Sequence, residues 1–274
     1  MPSAEINGFR MHYRDDGAGF PLLFGHGLMG SVAQQDALFE NLAPLRAANR
    51  VITYDARGHG LSGHTAEPGD YSWAALANDM RGLMAHLGIS RAHIGGGSMG
   101  AGTSLMLALA HPEAIASLVL VLPPPFGEDL VGPQQMFLLL ADAIENLGLD
   151  AAVELVTQVP QMQELKVRAP QRYALFRDGF LGLNPEGIVA AIRGLFGGGQ
   201  IPIPRFGEIT APTLIVAHDG DPIHPLTSAQ LLAHALPNAR LWVAPSPNYL
   251  QEHPEVAVEV ISEFLRAPAA APAS

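Results

Sequence analysis

The 274-residue chain carries 48% hydrophobic and 15% charged residues, enough apolar material for a sizeable core and too little charge for a disordered polymer. Its 26 acidic against 15 basic side chains leave a net charge of -11, which argues against nucleic acid or an anionic membrane as partner, because both require a basic face. With no cysteine anywhere, disulfides, thiolate metal sites and a cysteine nucleophile are excluded.

Met1 to Arg14 carries charges at Glu5, Arg10 and Arg14 and has no apolar run, so it does not read as a secretory leader. No stretch reaches the ~18 consecutive apolar residues of a membrane span. The expectation is a cytoplasmic protein. In chain order, Ala4–Asn7 and Phe9–Arg14 flank Gly8 as a hairpin. Pro21–Phe24 reads as a buried strand, Ser31–Ala48 as a helix and Arg50–Asp55 as the next strand. Within Tyr71–Leu87 the apolar residues Leu76, Met80, Leu83, Met84 and Leu87 form a helical stripe. Ala92–Gly95 (strand), Met99–Ala110 (helix) and the continuous apolar Ala116–Leu122 (strand) follow.

From Pro123 to Pro204 no strand pattern occurs, and amphipathic helical patterns are punctuated by Pro and Gly. The alternation resumes with Pro212–Ala217, Leu226–Leu236, Ala239–Val243 and His253–Leu265. Alternating strands and helices predict an α/β fold, a mostly parallel central sheet flanked by helices. The expected organisation is a core of residues 1–122 and 205–266, a helical cap over 123–204 that covers a site, and a disordered Ala/Pro tail at 267–274.

Gly96-Gly97-Ser98-Met99-Gly100 fits G-x-S-x-G at the junction of a predicted strand and helix. A nucleophile held in a strained turn needs small neighbours, and the helix start aims the Met99 amide at the same point. The competing reading is a Gly-rich helix start that only packs closely. Gly25-His26-Gly27-Leu28-Met29-Gly30 follows the first parallel strand and offers a second backbone donor, the Leu28 N–H. His26 and His59, the latter within Asp55-Ala56-Arg57-Gly58-His59-Gly60-Leu61-Ser62, read as hydrogen-bonding residues of tight turns.

In this order these motifs, with Asp221-Pro222-Ile223-His224-Pro225 after a late strand, resemble the α/β-hydrolase superfamily in its single-domain form with a helical cap. The resemblance runs from Phe9 to Leu265 and implies Ser98 as nucleophile, Leu28 and Met99 as backbone oxyanion donors, and Asp221 as the acid, with Asp219 its rival. It also implies a histidine in G-H-x-x-x-x-E-x-P. Counted back from Glu252 and Pro254, that position holds Pro247, which has no proton acceptor. His224, three residues past Asp221, and His253 are the candidates to replace it.

Three functions stay open at this point. One is hydrolysis of an ester, lactone or other carbonyl compound through Ser98 with an atypical triad of Ser98, Asp221 and His224. Another is a lyase or cyclase on the same scaffold, and the third is a catalytically silent small-molecule binder. The expected partner is a largely apolar small molecule, walled in part by Phe126, Met136, Phe137, Leu140, Phe176 and Phe196. No phosphate fingerprint or metal-ligand spacing is present, so no cofactor and no metal are expected.

Overall fold

The computed structural model describes residues 2–35, 42–197, 199–246 and 249–266. Its core is one eight-stranded sheet, ordered β1-β2-β4-β3-β5-β6-β7-β8. The strands are β1 (Ser3–Ile6), β2 (Phe9–Asp16), β3 (Phe20–Gly25), β4 (Asn49–Tyr54), β5 (Ala92–Gly97), β6 (Ile115–Val121), β7 (Thr213–His218) and β8 (Ala239–Ala244). β1 and β2 pair antiparallel and β2 joins β4 in the same sense, while β4, β3, β5, β6, β7 and β8 run parallel.

Strand periodicity decides which helix packs where. Leu23, Leu118, Leu120 and Ile215 point to one face. There they meet α2 (Trp73–His86), α3 (Met99–Ala110) and α9 (Leu226–Ala235) through Met80, Leu83, Leu105 and Leu232. Their alternates Leu22, Phe24, Val119, Val121, Leu214 and Val216 point to the other face, against Leu42, Leu45 and the apolar stripe of α11 (Pro254–Arg266), which follows the short α10 (Tyr249–Glu252). Side chains alternate across a strand, so a strand covered on both faces is apolar throughout, as β6 is.

Between β6 and β7 the described residues form no strand. They fold as α4 (Val131–Leu147), α5 (Leu149–Thr157), α6 (Pro160–Arg168), α7 (Pro170–Leu181) and α8 (Pro185–Gly197), with tight 3-10 turns at Gly127–Leu130 and Ile203–Glu208. Their own core gathers Phe137, Ile144, Val153, Phe180, Ile188 and Ile192, and reaches the sheet domain through Tyr71, Leu28, Met29 and Ile223. Gly194 of α8 must be glycine, because a Cβ there would run into the Pro68 carbonyl and the Tyr71 side chain.

The expected helix over Ser31–Ala48 is not continuous. The structure has a short helix α1 (Val32–Gln35) and a 3-10 turn at Ala43–Ala47, and residues 36–41 lie outside the described residues. Pro44 sits at the start of that turn, where its fixed φ and missing N–H suit a chain start better than a helix interior. Likewise α2 begins at Trp73, not Tyr71, because the Ser72 hydroxyl accepts the Ala75 N–H and caps the helix there. The tail at 267–274 lies outside the described residues.

Candidate active site

In a parallel sheet, ligands bind beyond the carboxyl ends of the strands where the strand order reverses. Here β4 lies on one side of β3 and β5 on the other, so that crevice opens at the ends of β3 and β5. β3 ends in the Gly25–Gly30 loop and β5 ends at Ser98.

Ser98 adopts φ 49°, ψ -107°, a conformation costly for a residue with a Cβ. Its surroundings enforce it. The Ser98 N–H donates to Val121 O at 3.0 Å, and the Gly100 N–H donates to His26 O at 3.1 Å. A Cβ on Gly96 would stand 2.6 Å from Gly25 O, and one on Gly100 would collide with the same carbonyl group. The glycines of G-x-S-x-G therefore let the start of α3 press against the end of β3. Among the described residues, neither the Leu28 nor the Met99 N–H donates to a protein acceptor. Met99 is the first residue of α3, where amides have no intrahelical partner.

The loop between β7 and α9 supplies the other groups. His224 Nδ1–H donates to Asp221 Oδ2 at 2.8 Å, which fixes the tautomer and leaves Nε2 as an acceptor. Ser98 Oγ lies 2.9 Å from that Nε2 and donates to it. Asp221 Oδ1 also accepts the Ile223 N–H at 2.8 Å. Burial pushes the Asp221 carboxyl up, but the His224 hydrogen bond and charge, with the Ile223 and His224 amides, outweigh it and bring the carboxyl down to about 2. Behind the carboxylate, His218 Nδ1–H donates to Asp219 O at 3.1 Å, and its Nε2 stands 3.8 Å from Asp221 Oδ2. The rival Asp219 turns back on its own loop and accepts the Gly220 N–H at 2.8 Å. His253 is an exposed residue beside Glu255 and Tyr249. Pro247 lies outside the described residues.

Of the remaining histidines of these motifs, His26 is consumed by structure. His26 Nδ1–H donates to Gly27 O at 2.7 Å and its Nε2 accepts the Ala56 N–H at 2.9 Å, so both ring nitrogens are spent. Asp55 ties the neighbouring turn by accepting from Val32 N, Leu61 N and His12 Nδ1 at 2.7 to 2.9 Å. Arg57 pairs with buried Asp79 at 2.9 Å and lies over the Phe9 ring at 4.2 Å.

Ser98 opens into a cavity of about 260 Å³. Phe126, Phe137 and Phe196 line it as expected from the sequence, whereas Met136 is exposed and Leu140 and Phe176 pack in the helical segment's own core. Sequence reasoning missed Trp73, Pro124, Leu130, Gln134, Ile201, Ile203 and Ile223. Only Ile223 had a local signal, its place inside the Asp221–His224 loop.

The family model described as alpha/beta hydrolase fold matches residues 21–247. The chain belongs to this family. Among its relatives is the 2-hydroxy-6-oxo-6-phenylhexa-2,4-dienoate hydrolase of Burkholderia cepacia, 30% identical over 254 residues, 88% of this chain and 85% of that one. The 2-hydroxy-6-oxononadienedioate/2-hydroxy-6-oxononatrienedioate hydrolase of Comamonas testosteroni is 28% identical over 249 residues, again 88% and 85% of the two chains. The crystal structure of the enol-lactonase from Burkholderia xenovorans LB400 superposes with a TM-score of 0.83 at 25% identity, covering 97% of this α/β hydrolase and 100% of that chain. The mostly parallel sheet with flanking helices is thus the α/β-hydrolase architecture. Among the described residues, no helix is long and apolar enough to cross a membrane.

Proposed function

We propose that the protein is a serine hydrolase of small carbonyl esters or lactones whose acid and base both come from the β7–α9 loop. The observation that carries this reading is the unbroken series from Asp221 Oδ2 through His224 to Ser98 Oγ, with links of 2.8 and 2.9 Å, both inside the reach that general-base work requires. A serine hydroxyl is a weak nucleophile until a base takes its proton, and His224 supplies that base in place of the residue that Pro247 displaces. From the relatives we carry over the reaction class, hydrolysis, and not the dienoate carboxylate that their names specify.

As Ser98 Oγ attacks the substrate carbonyl carbon, its proton passes to His224 Nε2 and the carbonyl electron pair moves to oxygen. Asp221 stabilises the imidazolium through Nδ1–H, and the Leu28 and Met99 amides receive the oxyanion. Collapse of this intermediate breaks the bond to the leaving oxygen, which takes the proton back from Nε2. His224 then deprotonates a water whose oxygen attacks the Ser98 ester, and as the acyl bond to Ser98 breaks Nε2 returns that proton to Ser98 Oγ and the acid is released. The helical segment 123–204 acts as a cap over this centre, since Phe126, Phe137, Leu195 and Phe196 form much of the cavity wall around Ser98.

A fluorophosphonate probe read by intact mass tests the reading. One adduct is expected on the parent, none on Ser98→Ala, and a strongly slowed reaction on His224→Ala. A parent that takes no label, while still binding small molecules, would make it a binding protein or a non-hydrolytic enzyme.

A further inference from the structure

Among the described residues, the wall of the cavity beside Ser98 is mostly apolar and carries no charged side chain. Its polar side chains among the described residues are those of Ser98, Trp73, Gln134 and Gln200, and the Gln134 amide group already donates to Phe196 O at 2.6 Å. No Lys, Arg or His lines it. The residues outside the described set, Met1, 36–41, Gly198, Pro247, Asn248 and 267–274, contain no Lys or Arg either, so every basic side chain of the protein is accounted for. Several of these cations are paired away from it: Arg57 with Asp79, Arg50 with Asp15, Arg205 with Glu208 and Arg168 with Glu164 and Glu252.

Such a wall leaves nothing to compensate a carboxylate. Burying an unpaired charge in an apolar site is opposed by its lost hydration. The cavity's one evident source of positive potential, the start of α3 with the free Leu28 and Met99 amides, is needed for the reacting carbonyl. A net charge of -11 adds long-range repulsion of anions. At about 30 Å³ per water-sized volume, the space holds roughly nine such volumes, which suits an acyl group of about six carbons.

Resting on the serine-hydrolase reading, we infer that the substrate is a neutral ester or lactone with a short apolar acyl portion, and that compounds carrying a carboxylate on the acyl side are rejected by the cavity itself.

The test uses two esters of equal chain length, p-nitrophenyl hexanoate and the mono-p-nitrophenyl ester of adipic acid, each corrected for its alkaline hydrolysis rate. The hexanoate should be preferred in kcat/KM by at least about 100-fold, in line with a site that leaves a polar group unpaired. The preference should survive 0.5 M salt, which screens the distant surface charges. Gln200→Arg, at an exposed position on the cavity wall, should shift the ratio toward the adipate by about tenfold or more. A ratio below about ten, a preference abolished by salt, or a ratio unmoved in Gln200→Arg overturns the inference while leaving the serine-hydrolase reading standing. Hydrolysis of neither ester, with no fluorophosphonate adduct, overturns both.

Discussion

Ser98 Oγ and His224 Nε2 lie 2.9 Å apart although they stand 126 positions apart along the chain. The contact spans the end of β6, since Ser98 follows β5 and His224 follows β7, its two neighbours in the sheet. One residue on a loop three positions past the acid thus covers the distance that a histidine from the last strand–helix connection covers in the resembling family.

If His224 is the base, His224→Ala should lower kcat for an activated ester by roughly 10²–10⁴, the contribution of a positioned acid–base group. Pro247→His should add little to the parent, because the task is already filled. A parent that gains much of its activity only with Pro247→His would show that His224 does not act.

The elbow glycine gives a structural prediction. Gly100→Ala places a methyl group in collision with the Gly25 carbonyl group, so α3 must move off β3. Overpacking of this kind costs typically about 1–3 kcal/mol, and more where backbone blocks the way. Thermal unfolding should show a lowered Tm, and probe labelling of Ser98 should fall with it.

A pH dependence of stability follows from the paired imidazoles of His26 and His59, whose ring centroids are 5.1 Å apart. Burial, then the neighbouring His26, pushes His59 down to about 3, and its Nε2 has no partner among the described residues. Burial lowers His26 as well. Both groups bind a proton more readily when the chain is unfolded, so stability is full above about 6.5 and falls as pH drops from there toward 3. His59 contributes a slope of up to about 1.4 kcal/mol per pH unit in that window, and His26 acts in the same direction. Urea unfolding between pH 7 and 4 checks this, and His59→Gln should flatten the curve.

Asp129 joins the cavity wall to the loop that carries His224. Its Oδ2 accepts from the hydroxyls of Thr227 at 2.6 Å and Ser228 at 2.8 Å, and Ser228 Oγ in turn accepts the Phe126 N–H at 3.0 Å. Asp129→Ala leaves the buried Ser228 hydroxyl without its acceptor, a loss of about 1–3 kcal/mol. Because α9 starts two residues after His224, the same variant should lower kcat more than it raises KM. An unchanged kcat beside a lowered Tm would reduce Asp129 to a structural tie.

The sheet was legible because strand faces obey period two and the proposed catalytic motifs sit at strand ends, where a tight turn calls for small residues. Ser98, Asp221 and the Gly25–Gly30 loop could be named from such signals. The span from Ser31 to Ala48 misled, since its apolar residues fit a helix while Pro44 begins a 3-10 turn. The cavity wall was only half legible. Trp73, Leu130 and Ile203 come from three distant segments, and nothing local marks a side chain that faces a void rather than a core. The Asp129 tie is illegible for the same reason, as it joins residues 98 and 99 positions apart.

Because Asp221 and His224, the proposed acid and base, stand three residues apart, their mutual geometry is a property of one short loop. Only the reach to Ser98 depends on the sheet being assembled. Activity therefore works as a gauge of a single separation, that between the ends of β5 and β7, and on heating it should vanish with the first parting of those strands, before the helices on either face have melted.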